Sequence, residues 1–87
     1  MSFLYVNKSG SVISVNQGYF VVKYKDGMLK KIPKETLESV VLFGNIQLTT
    51  QCIRECLNRG IPISFFSSKG SYFGRLESTS HVNIFRQ

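Results

Sequence analysis

The chain has 87 residues, the length of one domain, with 43% hydrophobic residues, 18% charged residues and a formal net charge of +6. This composition excludes a disordered tail, and no apolar run approaches the ~18 residues of a membrane-spanning helix. The positive charge favours an anionic partner, and nucleic acid is the commonest one. The alternative is a globular domain that is basic without such a role.

The two cysteines indicate a reducing compartment. Cys52 and Cys56 stand four residues apart, so a helix would place both on one face. A disulfide there would constrain almost nothing, and buried reduced thiols are the better interpretation. We therefore expect a cytoplasmic protein. The cysteine spacing gives no zinc pattern, and the first residues lack the regions of a signal peptide.

The first half of the chain predicts an antiparallel meander of about four strands. Strands are expected over residues 3–7, 11–15, 19–25 and 28–32, joined by turns of Gly, Asn, Asp and Ser. Asp26-Gly27 is the strongest hairpin signal, because a type I′ turn needs positive φ at both central residues. Pro33 then blocks further pairing, and residues 33–37 are consistent with one helical turn.

The second half predicts a strand–helix–strand unit and a final hairpin strand. Strands are expected over residues 39–43, 61–66 and 71–78, and an amphipathic helix over 49–59. Thr49 or Thr50 is the expected N-cap, and Gly60 the residue that ends the helix. Short links predict a parallel pair, with strand 39–43 buried between the helix and a sheet. The fold class is therefore α+β, mostly β.

Few side chains point to catalysis. The acidic residues, which are Asp26, Glu35, Glu38, Glu55 and Glu77, are all explained by turns or a solvated surface. Glu77 and His81 have the spacing of two metal ligands on a helix, but no third ligand accompanies them. A single histidine makes a nucleophilic triad unlikely, and no phosphate-binding loop motif is present. The residues alone predict no active site.

The basic residues are spread along the chain, although some could share a face. Lys23 and Lys25 lie on one side of their predicted strand, with Lys30 or Lys31 opposite across the turn. Interleaved with tyrosines, such a face could follow a phosphate backbone. The alternative is a solvated hairpin whose lysines protect an edge strand.

The stretch VVLFGNIQLTTQCIRECLNRGIPISFFSSKGSYFGRL resembles the N-terminal domain of the CRISPR-associated integrase family. Members are metal-dependent nucleases that insert new spacers into CRISPR arrays. The motifs that carry the resemblance are Gly44-Asn45, residues 46–50 before the helix, Gly60-Ile61-Pro62 and the hairpin strand 70–76. Residues 4–27 and 32–44 also fit the family pattern.

The resemblance implies a larger, two-domain protein. Residues 1–78 would be its β-rich N-terminal domain, and residues 79–87 would begin the linker to a helical catalytic domain. In the family, a Glu, a His and an Asp of the helical domain hold Mg²⁺ or Mn²⁺. The parent would thus be an endonuclease and integrase, and this chain would carry no catalytic or metal-binding residue.

The resemblance also implies two roles for this domain, homodimerisation and the support of double-stranded DNA. The candidate DNA contacts are Gln47, Arg54, Lys69, Tyr72 and Arg75. Helix N-terminal amides and arginine suit phosphate contacts. Lys8-Ser9 stands where some members place a tyrosine that brackets the duplex end.

Phe65 and Phe66 are the candidate dimer-interface residues, because aromatics are enriched at interfaces, although core packing explains them equally well. The parent would also bind the second CRISPR adaptation protein. The alternatives are a free-standing nucleic-acid-binding module and a purely structural homodimer module.

Overall fold

The computed structural model describes residues 2–78, which form two β-sheets and one α-helix. The strands are β1 Ser2–Val6, β2 Val12–Asn16, β3 Tyr19–Lys23, β4 Leu29–Pro33, β5 Leu37–Phe43, β6 Gln47–Leu48, β7 Ile63–Phe66 and β8 Tyr72–Leu76. A 3-10 turn covers Lys34–Thr36, and helix α1 covers Thr50–Arg59. The predicted α+β, mostly β fold class is confirmed. The predicted linker at 79–87, with His81, lies outside the described residues.

The strands divide into two four-stranded sheets. Sheet A has the order β1-β5-β7-β8, and sheet B has the order β4-β3-β2-β6. In sheet A, β5 runs parallel to both β1 and β7. The predicted strand–helix–strand unit and its parallel pair are confirmed by β5, α1 and β7. Because three neighbouring strands run the same way, their carboxyl ends meet at one edge of sheet A.

The prediction that the first strand opens the antiparallel meander is wrong. Only β2, β3 and β4 form that meander, whereas β1 pairs in parallel with β5. The register explains the choice, because Leu4 lies opposite Val40 and Val6 opposite Leu42. This pairing brings four apolar side chains to the core together, and all four are at most 2% exposed.

One hydrophobic core fills the space between the two sheets and α1. Sheet A contributes alternate residues of its strands, and sheet B contributes Ile13, Phe20 and Val22. Cys52 and Cys56 are buried in the same core as free thiols. Their mutual hydrogen bond, together with burial, raises the pKa of the Cys52 thiol, which keeps it protonated.

The prediction that the strand at 39–43 is buried on both faces is wrong. Val40 and Leu42 are buried, but Val41 and Phe43 between them are only half-buried. The reason is that α1 and sheet B lie on the same side of sheet A, where they share one core. The other face of sheet A is left open.

The type I′ turn lies one hairpin earlier than predicted. Gln17 has φ of +50° and Gly18 of +86°, and the flanking Asn16 and Tyr19 are paired, as a two-residue I′ turn requires. At the predicted position only Gly27 has positive φ. That loop holds three residues between the paired Tyr24 and Met28, one more than a type I′ turn contains.

Helix α1 begins and ends at the predicted residues. Thr49 is the N-cap, and its hydroxyl accepts a hydrogen bond from the Cys52 amide at 3.1 Å. Gly60 ends the helix in the left-handed conformation. No helix within residues 2–78 is long and apolar enough to cross a membrane.

Glu55 ties α1 to the 3-10 turn. Its carboxylate accepts hydrogen bonds from Arg59 at 2.8 Å and from Lys34 at 3.2 Å. Arg59 first, and then Lys34, lower the pKa of Glu55 below its ordinary value.

Candidate nucleic-acid interface

Three loops meet at the carboxyl ends of the parallel strands, and we call them the loop edge. The loop edge consists of residues 7–11 after β1, 44–46 after β5 and 67–71 after β7. Hydrogen bonds join the loops, since the Gly10 amide donates to the Asn45 carbonyl at 2.8 Å and the Asn45 amide to the Ser9 hydroxyl at 3.3 Å. The Gly44 amide donates to the Phe66 carbonyl at 3.0 Å. Three segments far apart in sequence therefore form one surface.

Gly44, in the second loop, lies close to residues of the first and third loops. It has φ of +89°, which glycine adopts far more easily than other residues. A Cβ atom added to it would lie 2.6 Å from the Ser9 hydroxyl and 3.7 Å from Ser68 Cβ. A side chain at position 44 would therefore displace the Ser9 hydroxyl of the first loop, while Ser68 of the third loop lies at ordinary contact distance.

The loop edge is basic and contains no acidic residue. Lys69 is exposed in the third loop, where the Ser67 hydroxyl accepts hydrogen bonds from the Lys69 and Ser71 amides and holds the turn. The ammonium of Lys8 lies 5.9 Å from the centre of the Tyr24 ring. The stem of Lys25 packs against Gly10. Three lysines thus surround a surface rich in amide and hydroxyl donors.

The segment that leads from the second loop into α1 is held along the start of β2. The Gln47 amide donates to the Ser11 carbonyl and the Thr49 amide to the Ile13 carbonyl, each at 3.0 Å. The first turn of α1 contains no acidic residue that would offset the positive end of the helix dipole. This end of the molecule is therefore suited to attract an anion.

The structure brings most of the predicted DNA contacts toward this end. Gln47 lies on β6 beside the first loop, Lys69 is in the third loop, and Tyr72 begins β8. Arg54 is exposed on α1, one turn from its start. Arg75 lies apart from them, opposite Ser64 on sheet A, with its Nε atom 3.6 Å from a Glu77 oxygen. The role of all five in DNA binding stays a prediction.

The predicted basic face is only partly formed. Lys23 lies in the row Gln47, Val12, Lys23, Leu29 on the outer side of sheet B. Lys31 is its diagonal neighbour on the same face, while Lys30 alternates to the other side. Lys25 lies beyond β3 and belongs with the loop edge. The position of Lys25 beside the loop edge could not be predicted from the sequence, because it depends on the parallel pairing of β1 with β5.

The open side of sheet A carries exposed aromatic rings, and we call it the aromatic face. Its members are the exposed Phe3, Tyr5 and Tyr72 and the half-buried Phe43 and Phe66. The Phe66 ring lies 5.0 Å from the Phe43 ring and 5.3 Å from the Tyr72 ring. Exposed contiguous apolar surface of this kind usually marks an interaction site.

The two predicted interface residues lie on opposite sides of sheet A. Phe66 belongs to the aromatic face, whereas Phe65 packs against the core. The separation follows from strand alternation. Neither placement tests the predicted role in a dimer.

The fold and the loop edge define a small mixed domain with a basic surface where three loops meet. The model of the family "CRISPR associated protein Cas1" matches residues 4–87. The chain therefore belongs to the Cas1 family. It is 37% identical over 75 residues to the CRISPR-associated endonuclease Cas1 of Mycobacterium tuberculosis (strain CDC 1551 / Oshkosh), a match that covers 86% of this chain and 22% of that protein.

Solved structures share the fold. A partial Cas6-RT-Cas1–Cas2 complex matches with a TM-score of 0.82 at 24% identity, over 99% of this chain and 26% of the other. A TtCas1–DNA complex matches with a TM-score of 0.75 at 17% identity, over 92% of this chain and 30% of the other. The chain thus spans about a fifth to a third of the length of these relatives.

Residues 2–78 contain no cluster of three or more His, Cys, Asp or Glu side chains that could hold a metal ion.

Proposed function

We propose that this chain is the N-terminal dimerisation and DNA-support domain of a CRISPR adaptation integrase. The observation that carries the proposal is the basic, acid-free loop edge in a member of the Cas1 family. Catalysis, with its Mg²⁺ or Mn²⁺, is assigned to a helical domain of the parent, and spacer integration to the parent as a whole. The parent would act in the cytoplasm, with Cas2 as its partner.

The loop edge would contact the phosphate backbone of duplex DNA rather than its bases. Lysines and main-chain amides position a duplex without reading its sequence. Lys8, Lys25 and Lys69 supply the charge, and the amides at the start of α1 supply donors. Binding through such contacts releases counterions, so the affinity falls steeply as salt rises.

Fluorescence anisotropy with a labelled duplex, measured over a series of salt concentrations, tests this role. We expect Lys69→Gln to weaken binding and to reduce the slope of log K against log salt by about 1. Lys30→Gln is the matched control, because Lys30 is also exposed but lies on the β4 edge. Equal effects of the two variants, or no duplex binding at all, would reject the loop edge. Tighter binding of single strands would favour the alternative of a free-standing nucleic-acid-binding module.

We further propose that the homodimer contact is made on the aromatic-face side of sheet A. Phe3, 59% exposed, lies on this face, whereas Met28, 66% exposed, lies in the β3–β4 loop. Sedimentation velocity of the chain should show a dimer that Phe3→Ser weakens and Met28→Ser leaves unchanged. A monomer at every concentration would reject dimerisation as a role of this domain.

A further inference from the structure

Strand β4 forms one edge of sheet B, and within residues 2–78 it pairs only with β3. Two hydrogen bonds fix the phase of this antiparallel ladder. The Tyr24 amide donates to the Met28 carbonyl at 2.9 Å before β4, and the Lys34 amide donates to the Gly18 carbonyl at 3.0 Å after it. In such a ladder, residues that bond to the partner strand alternate with residues whose main-chain groups point away from it.

The alternation leaves the main chain of two β4 residues open to a further strand. Lys30 and Ile32 bond to β3, whereas Leu29 and Lys31 direct their amides and carbonyls away from the sheet. Pro33 has no amide and closes the edge at its far end. An extended chain that lies along β4 can therefore form main-chain hydrogen bonds to residues 29 and 31.

The side chains along this edge combine positive charge with apolar surface. Lys30 and Lys31 are exposed, and Lys23 lies opposite Leu29 on the outer side of sheet B. Lysines alone would serve to protect an edge strand. Leu29, which is 56% exposed at the same edge, has the opposite effect, because it offers apolar surface that an added strand would bury.

The acidic residues nearest in sequence lie in the turns at the two ends of β4. Asp26 precedes the strand, and its carboxylate accepts a hydrogen bond from the Met28 amide at 3.0 Å. Glu35 follows the strand, next to Lys34, whose ammonium is paired with Glu55. Strand β4 itself contains no acidic residue. The charge that an added strand would meet along β4 is therefore positive.

These features select among the possible occupants of the edge. Antiparallel pairing of two β4 strands about a two-fold axis at Lys30 would place like charges directly opposite, which is destabilising. The phosphates of a nucleic acid accept hydrogen bonds from amides, but the outward carbonyls of Leu29 and Lys31 would repel them. A polypeptide strand supplies both donors and acceptors, and acidic side chains on it would complement the lysines.

We propose that the open edge of β4 binds an extended, acidic segment of a partner protein, which adds a fifth strand to sheet B. The inference goes beyond DNA support and the homodimer contact, since it concerns a different partner and a different sheet. Leu29 and Lys31 point to the outer side of the sheet, so the segment would place an apolar side chain beside Leu29 and an acidic one beside Lys31.

Amide hydrogen exchange of the 87-residue chain tests the added strand. It is measured by NMR with and without a short peptide of alternating valine and glutamate. We expect the peptide to slow exchange at Leu29 and Lys31 at least about tenfold, because their amides become hydrogen-bonded. The amides of Lys30 and Ile32 already bond to β3 and should change less. Failure of the peptide to bind, or binding without protection at residues 29 and 31, would overturn the inference.

A charge reversal tests the chemistry of the partner. Lys31→Glu should weaken binding of the valine–glutamate peptide at least about fivefold and strengthen binding of a valine–lysine peptide. Lys69→Glu is the matched control, because Lys69 is also exposed but lies at the loop edge, and it should leave the affinity for both peptides unchanged. Circular dichroism would verify that both variants fold. Equal effects of the two variants would overturn the inference, and so would a single-stranded oligonucleotide that displaces the peptide and protects the same amides.

Discussion

Replacing Gly44 by alanine tests whether close packing of the three loops stabilises the fold. Gly44 has φ of +89°, and an alanine there costs about 1 kcal/mol in backbone strain. Its Cβ would lie 2.6 Å from the Ser9 hydroxyl, which must then move. That movement breaks the hydrogen bond from the Asn45 amide, at a further cost of about 1 kcal/mol. Together these losses would lower the melting temperature of a domain of this size by roughly 8–16 °C.

Gly27→Ala provides the control for this experiment. Gly27 has φ of +94°, close to that of Gly44, but no atom lies within 4 Å of the position of its Cβ. The Gly27→Ala variant should therefore lose only the free energy that corresponds to backbone strain, about 1 kcal/mol, and its melting temperature should fall by roughly 4–8 °C. The assay is thermal unfolding followed by circular dichroism, with urea unfolding to obtain free energies. Equal losses for the two variants would refute the argument that the loops are crowded at Gly44.

A double-mutant cycle separates the two parts of the Gly44 effect. Ser9→Ala removes the hydroxyl and its hydrogen bond, so by itself it should cost about 1 kcal/mol. In the Gly44→Ala background that bond is already lost, and Ser9→Ala should then cost nothing further. Simple additivity of the two changes would show that Gly44 and Ser9 do not interact.

Three further predictions concern α1. Thr49→Ala should lower the free energy of unfolding by about 1 kcal/mol in urea, because the N-cap bond is lost, whereas Thr50→Ala should have a smaller effect. Folding lowers the pKa of Glu55 below its ordinary value of 4.5. The ionised carboxylate therefore adds to the free energy of unfolding at pH values above 4.5, and this stabilisation is lost as the pH falls through the folded pKa. Glu55→Gln should remove this stabilisation. Between neutral and acidic pH, urea titrations should then show a smaller loss of unfolding free energy for the variant than for the parent chain, by less than about 1 kcal/mol. Cys52 and Cys56 should resist a thiol reagent in the native protein and react fully in guanidinium, and fast native labelling would contradict their burial.

Local signals in the sequence predicted the local structure well. The polar residue before an amphipathic segment and the glycine after it located both ends of α1, because caps depend on neighbouring residues alone. The strand–helix–strand unit was likewise predicted, since short links leave few arrangements. The resemblance, carried by the motifs between residues 44 and 76, indicated the family, which the match over residues 4–87 confirmed.

Features that depend on distant pairing could not be predicted in the same way. The strand at 3–7 has the same alternation whether its partner is the next strand or β5, and only the shared core decides between them. The loop edge follows from that pairing, so the closeness of Ser9, Gly44 and Ser68 was not visible from the sequence. The half-buried outer side of β5 could not be predicted for a similar reason. A run of apolar residues does not show whether other elements pack on one face of the strand or on both.

The parallel pairing of β1 has a consequence for synthesis on the ribosome. Synthesis runs from the N-terminus, so β1 leaves the ribosome before β5, which begins at Leu37, does. The meander β2, β3 and β4 has only local pairings and can form during that interval. Strand β1 must meanwhile wait with both of its edges unpaired. The nascent chain should therefore be most sensitive to aggregation and to chaperone binding during this interval.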